Sequence, residues 1–191
     1  PTPEMWRAMA VAEVGDDVYG EDPTVNRLEA MAAERLGKEA SVFVSSGMMA
    51  NLVVGLVYSQ QGAEILVGSE SHIAVSEGTT IATLGGARVR TMANDSRGMV
   101  SPDEIEAAIL MSHNDLAKTS VVCLENTHNR SGGTVLNSDE IRTIADVADN
   151  HGIPIYIDGA RIFNAAVALG IPPAELVERA DTVSFCLSKA L

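Results

Sequence analysis

The sequence predicts an α/β fold: a doubly wound, mainly parallel sheet with helices on both faces. Three observations predict it. Short β-branched and apolar runs alternate with stretches of helical periodicity, the pattern of strand–helix–strand units. The run over 119–124, TSVVCL, has no charged residue and is mainly apolar, as expected for a strand covered on both faces. Two further runs stop at charged groups, 155–157 at Asp158 and 182–187 at Ser188-Lys189. Open α/β sheets place ligand sites at the carboxyl ends of their strands.

Taken in order, residues 4–14 have helical spacing and 15–20 form a loop. Asp22 before Pro23 is a helix start, with Asp as N-cap and Pro at the first helical position. Val25, Leu28, Met31, Ala32 and Leu36 recur at helical spacing, and Gly37 stops the helix. A short strand is expected at 41–44. The turn Ser45-Ser46-Gly47 leads into a helix over 48–60, broken at Gln61-Gly62. A strand over 64–67 and a loop over 69–72 precede a helix over 73–84 that ends at Gly85-Gly86. Next come a strand over 87–92, a loop over 94–99 and a helix over 102–110 capped by Ser101. The apolar strand at 119–124 is followed by a glycine-containing loop or short hairpin over 126–136. A helix over 138–150 ends at Gly152, and the central strand, 155–157, comes next. Helices over 162–169 and 172–179 precede the last strand, 182–187. The sequence has no internal repeat, linker or low-complexity tract.

The chain has 191 residues and 46% hydrophobic content, enough for one domain with a large core. Its net charge of −13 argues against nucleic-acid and anionic-membrane partners, and any phosphate pocket would need local positive character. Cys123 and Cys186 both lie in apolar runs, which reads as buried thiols of a cytoplasmic protein rather than a disulfide. No stretch is long and apolar enough to span a bilayer.

Several residues are candidates for chemistry. Asp158 and Lys189, read as buried groups at neighbouring strand ends, are either a structural ion pair or the two anchors of pyridoxal phosphate (PLP). In the second case Lys189 is the Schiff-base residue and Asp158 faces the pyridine nitrogen. Ser46-Gly47-Met48 is either an ordinary strand-to-helix turn or an anion site built from backbone N–H groups at a helix N-terminus. His72 is a lone loop histidine, and histidines of that kind are commonly solvated surface groups. His128, in Asn126-Thr127-His128-Asn129, is either part of a capped turn or a base oriented by Glu125 and Asn126. Arg161 is a surface residue, a partner of Asp158, or an active-site group.

Five segments in register tip the balance between these alternatives. They are Glu13 to Thr24 (EVGDDVYGEDPT), Ser46 to Asn51 (SGMMAN), Glu125 to Gly133 (ENTHNRSGG), Asp158 to Arg161 (DGAR) and Leu187-Ser188-Lys189. In this order they resemble the threonine aldolases, PLP enzymes of the aspartate-aminotransferase type of fold that are grouped with the β-eliminating lyases. The resemblance runs from Pro1 to Leu191.

The resemblance implies that Lys189 holds PLP, that Asp158 pairs with the pyridine nitrogen and that Ser46, Gly47 and Met48 bind the phosphate. The family's turn usually reads Ser-Gly-Thr. Met48 replaces the Thr hydroxyl, a loss of one hydrogen bond worth ~1 kcal/mol. His72 is implied to stack on the pyridine ring near the substrate hydroxyl. Arg161 is implied to contact the cofactor's ring hydroxyl or the substrate carboxylate. The family usually has Gly after the lysine, where this chain has Ala190. Tyr19 belongs to a loop near the dimer interface and is kept out of the catalytic set. No metal is implied.

The implied reaction cleaves threonine- or allo-threonine-like β-hydroxy-α-amino acids to glycine and an aldehyde, with His72 or His128 as the base. The alternatives are another PLP-dependent lyase or aminotransferase with the same core, or a catalytically incompetent fragment. The chain is expected to be an incomplete large domain that ends just after Lys189. On that expectation a small C-terminal domain is absent, the segment alone has little activity, and the whole protein is a homodimer or homotetramer.

Overall fold

The computed structural model describes residues 1–59, 62–112 and 117–189. Helix α1 is Pro3–Ala10, α2 Pro23–Leu36 and α3 Gly47–Tyr58. Strand β1 is Glu64–Gly68. Helix α4 spans 73–85, with a short α-helical turn, Gly78–Thr80, between two π-helical segments, Ile73–Glu77 and Ile81–Gly85. Then come β2 (Arg88–Met92), α5 (Pro102–Ser112), β3 (Thr119–Glu125) and α6 (Ser138–Asp149). The chain continues with β4 (Ile155–Asp158), α7 (Ile162–Leu169), α8 (Pro173–Leu176) and β5 (Thr182–Ser184). The strands form one parallel sheet in the order β2-β1-β3-β4-β5.

Successive strand residues face opposite sides of a sheet, and here each side has its own core. Leu66, Val122, Leu124, Ile155 and Ile157 join Ile105, Ile109, Ile141, Ile144 and Ile162 under α5, α6 and α7. Ile65, Val67, Val121, Cys123 and Tyr156 join Val54, Ile73 and Ile81 under α3 and α4. Both faces of the central strands are therefore buried, as the apolar run over 119–124 predicts. Glu64 is buried at the start of β1, but Arg88 (2.5 Å) and Arg90 (3.2 Å) neutralise it. Helix starts follow local chemistry. The Asp22 carboxylate accepts from the N–H groups of Thr24 and Val25. Helix α6 is capped by Asn137 in a capping box with Glu140, one residue before the expected opening at Ser138.

The expected strand at 41–44 does not form. The segment bonds to α2 instead: the Ser41 hydroxyl donates to the Glu29 carbonyl (2.7 Å), and the Phe43 N–H donates to the Glu29 carboxylate (2.6 Å). Val42 and Phe43 stay exposed. The last strand stops at Ser184, not at residue 187. It pairs with β4 only as far as Asp158↔Ser184, because β4 turns into α7 at that point and leaves residues 185–187 no neighbour on that side. Helix α1 is shorter than the periodicity suggests and has no buried residue. The short helix expected at 172–179 shrinks to Pro173–Leu176, while α5 extends to Ser112. The readings at Gln60, Gln61 and Ala190 lie outside the described residues. No described helix is long and apolar enough to cross a membrane.

The loops after β2 and β3 interlock. The Thr134 hydroxyl donates to the Arg97 carbonyl (2.6 Å), and the Arg97 guanidinium donates to the Val135 carbonyl (2.8 Å). Gly98, at φ +83°, lies so close to the His128 ring that an added Cβ would sit 2.2 Å from Cγ.

Two expected outcomes follow from this packing. Ile144→Ala should cost about 2–5 kcal/mol by urea unfolding, because Ile144 is fully buried, whereas Leu110→Ala on the exposed side of α5 should stay within about 0.5 kcal/mol. Gly98→Ala combines a left-handed backbone cost of about 1–2 kcal/mol with a clash against His128. It should therefore destabilise more than Gly132→Ala, which shares the positive φ but meets nothing within 4 Å. Equal losses in the two variants would refute the close packing of Gly98 on His128.

Candidate active site

The strand order reverses between β1 and β3, and open α/β sheets bind ligands outside the carboxyl ends of the strands at such a reversal. Glu125, the last residue of β3, spans this crevice. Its carboxylate accepts from the His72 N–H (2.6 Å), just before α4, and from the Asn129 N–H (2.8 Å) of its own loop. Next along the sheet, β4 ends at the buried Asp158.

Asp158 belongs to a buried polar chain. The Asn51 amide nitrogen donates to Asp158 Oδ2 (3.1 Å) and to Glu77 Oε1 (3.0 Å). Glu77 Oε1 also meets His72 Nδ1 at 2.7 Å. The Tyr156 hydroxyl donates to Asn51 Oδ1 (2.5 Å) and lies 2.6 Å from Ser184 Oγ. Carboxylates only accept, so the Asn51 amide is oriented with both N–H groups towards them. Tyr156 spends its one proton on Asn51, so Ser184 donates to Tyr156.

The electrostatics of this chain are lopsided. Asp158 and Glu77 are both buried, yet Asp158 has no cationic partner among the described residues, and Glu77 has only His72. Burial pushes the Glu77 carboxyl above its ordinary range, opposed by its bonds to Asn51 and His72. Burial, reinforced by the charge of Asp158, pushes the Tyr156 phenol and the Cys123 thiol well up. Both hydroxyl and thiol are therefore neutral at physiological pH. The site has an excess of negative charge that a bound cation would relieve.

Ser46 caps α3, its hydroxyl accepting from the Met49 N–H (3.1 Å). The N–H groups of Gly47 and Met48, first in the helix, have no intrahelical acceptor. Gly47 lies against Cys186, where a Cβ would stand 3.2 Å from Sγ. Asn51, one turn further along α3, touches Asp158. One helix thus brings the anion turn, the Asp158 carboxylate and the segment preceding Lys189 together. The Met48 side chain is half exposed.

The remaining candidates stand differently. Lys189 is exposed and lies five residues beyond the end of β5, so the buried strand-end lysine read from the sequence is corrected. Among the described residues no strand pairs with 185–187. Arg161 is half-buried at the N-cap of α7. His128 is fully buried. Its Nδ1 accepts from the Ser131 N–H (3.2 Å), which leaves the proton on Nε2, and that nitrogen has no partner among the described residues. A cavity of about 10 Å³ lies beside His128, lined also by Ser71, Asn94 and Glu125. No hydrogen bond among the described residues joins His128 to the chain from His72 to Asp158. Sequence reasoning gave no role to Asn51, Glu77, Tyr156 or Ser184. The available signal was polarity out of place: Asn51 is a polar side chain in an otherwise apolar helix, and Glu77 an acid on a helix covering the core.

Comparison with known proteins agrees with this architecture. The chain is 46% identical over 194 residues to a probable low-specificity L-threonine aldolase 2 of Arabidopsis thaliana, covering all of this chain and 55% of that protein. It is 38% identical over 191 residues to the low specificity L-threonine aldolase of Escherichia coli K12, covering 56% of that protein. The chain thus spans about half the length of these relatives. Among solved structures, a threonine aldolase from Leishmania major superposes with a TM-score of 0.78 at 22% identity, over 93% of this chain and 52% of that one. An archaeal alanine:glyoxylate aminotransferase superposes at 0.65 and 19% identity, over all of this chain and 51% of that one, a likeness of fold alone. The beta-eliminating lyase family model matches residues 1–191 from end to end, and the chain belongs to that family.

Proposed function

We propose that this chain is the cofactor-holding part of a PLP-dependent aldolase that cleaves threonine- or allo-threonine-like substrates to glycine and an aldehyde. The observation that carries this reading is Asp158: a buried carboxylate at a strand end with no cationic partner among the described residues, tied through Asn51 to a second buried acid. Members of the family depend on pyridoxal phosphate, and the residues present suit it. A protonated pyridine nitrogen would give Asp158 its missing counter-charge. The open N–H groups at the start of α3 and the hydroxyl of Ser46 suit a phosphate. Lys189, just after the Gly47–Cys186 contact, is the candidate for covalent attachment. The names of the relatives support the substrate class.

When bound, the cofactor supplies an electron sink for the pair released as the Cα–Cβ bond breaks. The chain's own contribution is placement and proton control. Asp158 holds a proton on the facing ring nitrogen by charge. His72, with a half-exposed ring, is available for stacking and for the substrate hydroxyl. His128, the second base that the resemblance implies, lines the small cavity, but its Nδ1 is taken by the Ser131 N–H and its Nε2 holds the proton, so it is the weaker candidate. Arg161 is the candidate partner of the substrate carboxylate or the cofactor's ring hydroxyl. Residues 1–191 serve as the large domain, with the rest of the relatives' length completing the enzyme.

We also read the exposed Trp6, Met9, Val11, Val14, Val18 and Tyr19 as surface covered in a homodimer or homotetramer. Two free thiols favour a cytoplasmic protein.

The full-length protein given threonine should yield glycine and acetaldehyde; a keto acid product would assign it to the aminotransferases instead. Asp158→Asn should lower kcat by about 100-fold or more without lowering the urea midpoint, because the variant removes an unpaired buried charge. An unchanged kcat would make Asp158 purely structural. Borohydride reduction and peptide mapping should label Lys189, and a label on another lysine would refute that assignment.

A further inference from the structure

Helix α4 opens with an unusual turn. Residues Ile73–Glu77 are π-helical, starting immediately after His72. In an α-helix, residues five apart point about 140° away from each other around the axis. The wider π turn, with bonds running i→i+5, stacks them. That is how His72 and Glu77 come within 2.7 Å although five residues separate them. Single π turns of this kind recur at functional sites.

The partners differ sharply in exposure: the His72 side chain is 46% exposed and that of Glu77 only 2%. The buried carboxyl therefore holds Nδ1 while about half of the His72 side chain stays exposed. Glu77 is held in turn by Asn51, whose amide is oriented by Tyr156 and Ser184. The His72 N–H is fixed separately by Glu125. The ring is therefore anchored at its backbone and at one nitrogen.

We propose that Glu77 is a positioning residue: it accepts the Nδ1–H of His72, fixes the ring in the tautomer that presents Nε2 to the crevice as a proton acceptor, and matches the charge when that nitrogen takes a proton. The assignment makes His72, rather than His128, the ring equipped to accept the β-hydroxyl proton, because His128 already carries its proton on Nε2. Asn51 extends the device by holding Glu77 and Asp158 on one amide, so a change in the charge of either carboxyl is felt by the other. Glu77 faces three ionisable groups: His72 in its own segment, Asp158 across Asn51, and Tyr156 beyond it. In functional terms this inference rests on the proposed aldolase reading; in structural terms it stands on the ring alone.

The test uses nitrogen-15 spectra of histidine-labelled full-length protein without cofactor, with His72→Asn to assign the ring, and kinetics on the loaded enzyme. Neutral His72 should be protonated at Nδ1, against the solution preference for Nε2. Glu77→Leu should restore that preference and lower kcat for threonine cleavage about 10- to 100-fold, with KM within about three-fold. Glu77→Gln, whose amide oxygen can accept the same two bonds, should keep the Nδ1–H form and recover part of kcat. A wild-type ring protonated at Nε2, or a Glu77→Leu enzyme that keeps kcat within two-fold, overturns the proposal. The first of these needs no variant to fold. If wild-type protein fails to cleave threonine at all, the aldolase reading falls, and the spectrum alone decides the role of Glu77 towards the ring.

Discussion

The site depends on one amide. Asn51 donates to two buried carboxylates at once, and without it Asp158 and Glu77 would face each other with nothing between them. Two uncompensated acids in a low-dielectric interior would repel, and one would be forced to protonate. The amide supplies each with a donor and keeps them apart without neutralising either. This differs in kind from Glu64, a buried acid at the start of β1, which is neutralised by two arginines. Glu64 is a closed ion pair of the scaffold. Asp158 has no such cation among the described residues, and that contrast is what supports the proposed cofactor role.

Such a site needs a rigid frame. The strands that end at Glu125 and Asp158 are packed on both faces by separate cores, and neighbouring strands fix their register. The same alternation that buries Ile155 and Ile157 on one face turns Tyr156 to the other, under α3. There its hydroxyl, too buried to ionise, orients Asn51. The packing pattern of β4 thus sets both the position of Asp158 and the direction of the amide that holds it.

Most of this frame is legible in the sequence, because apolar runs and helix caps are local signals. The apolar stretch at 119–124, the Asp22-Pro23 start and the Asp158 strand end all report interactions within a few residues. Misreadings occur where the outcome depends on distant partners. Residues 41–44 have strand composition, but Glu29 of α2 takes the Ser41 hydroxyl and the Phe43 N–H. Residues 185–187 have strand composition too, but β4 has already turned away, so the pairing stops at Ser184. The pairing of Glu77 with His72 was invisible for a different reason. Helical periodicity puts residues five apart on different faces, and only the π turn reverses that. Asn51 closes the Ser46–Asn51 motif, yet its partners lie 26 and 107 residues away, beyond any local pattern.

Met48, where the resembled family usually has Thr, bears on how such a site would hold a phosphate. Three sources of donors converge at the start of α3: backbone N–H groups, the helix dipole and side-chain hydroxyls. Only the third depends on residue identity at position 48. The Ser46 hydroxyl accepts from Met49, and this leaves its own proton free to point outward. Gly47 carries no side chain to block the approach, and the Cys186 thiol beside it would leave little room for one. The substitution therefore removes one donor from a set whose larger part is backbone, and its effect on anion affinity should be graded rather than all-or-none. The same reasoning explains why the turn tolerates a half-exposed methionine, since the groups that the fold itself provides are backbone and do not depend on the side chain at that position.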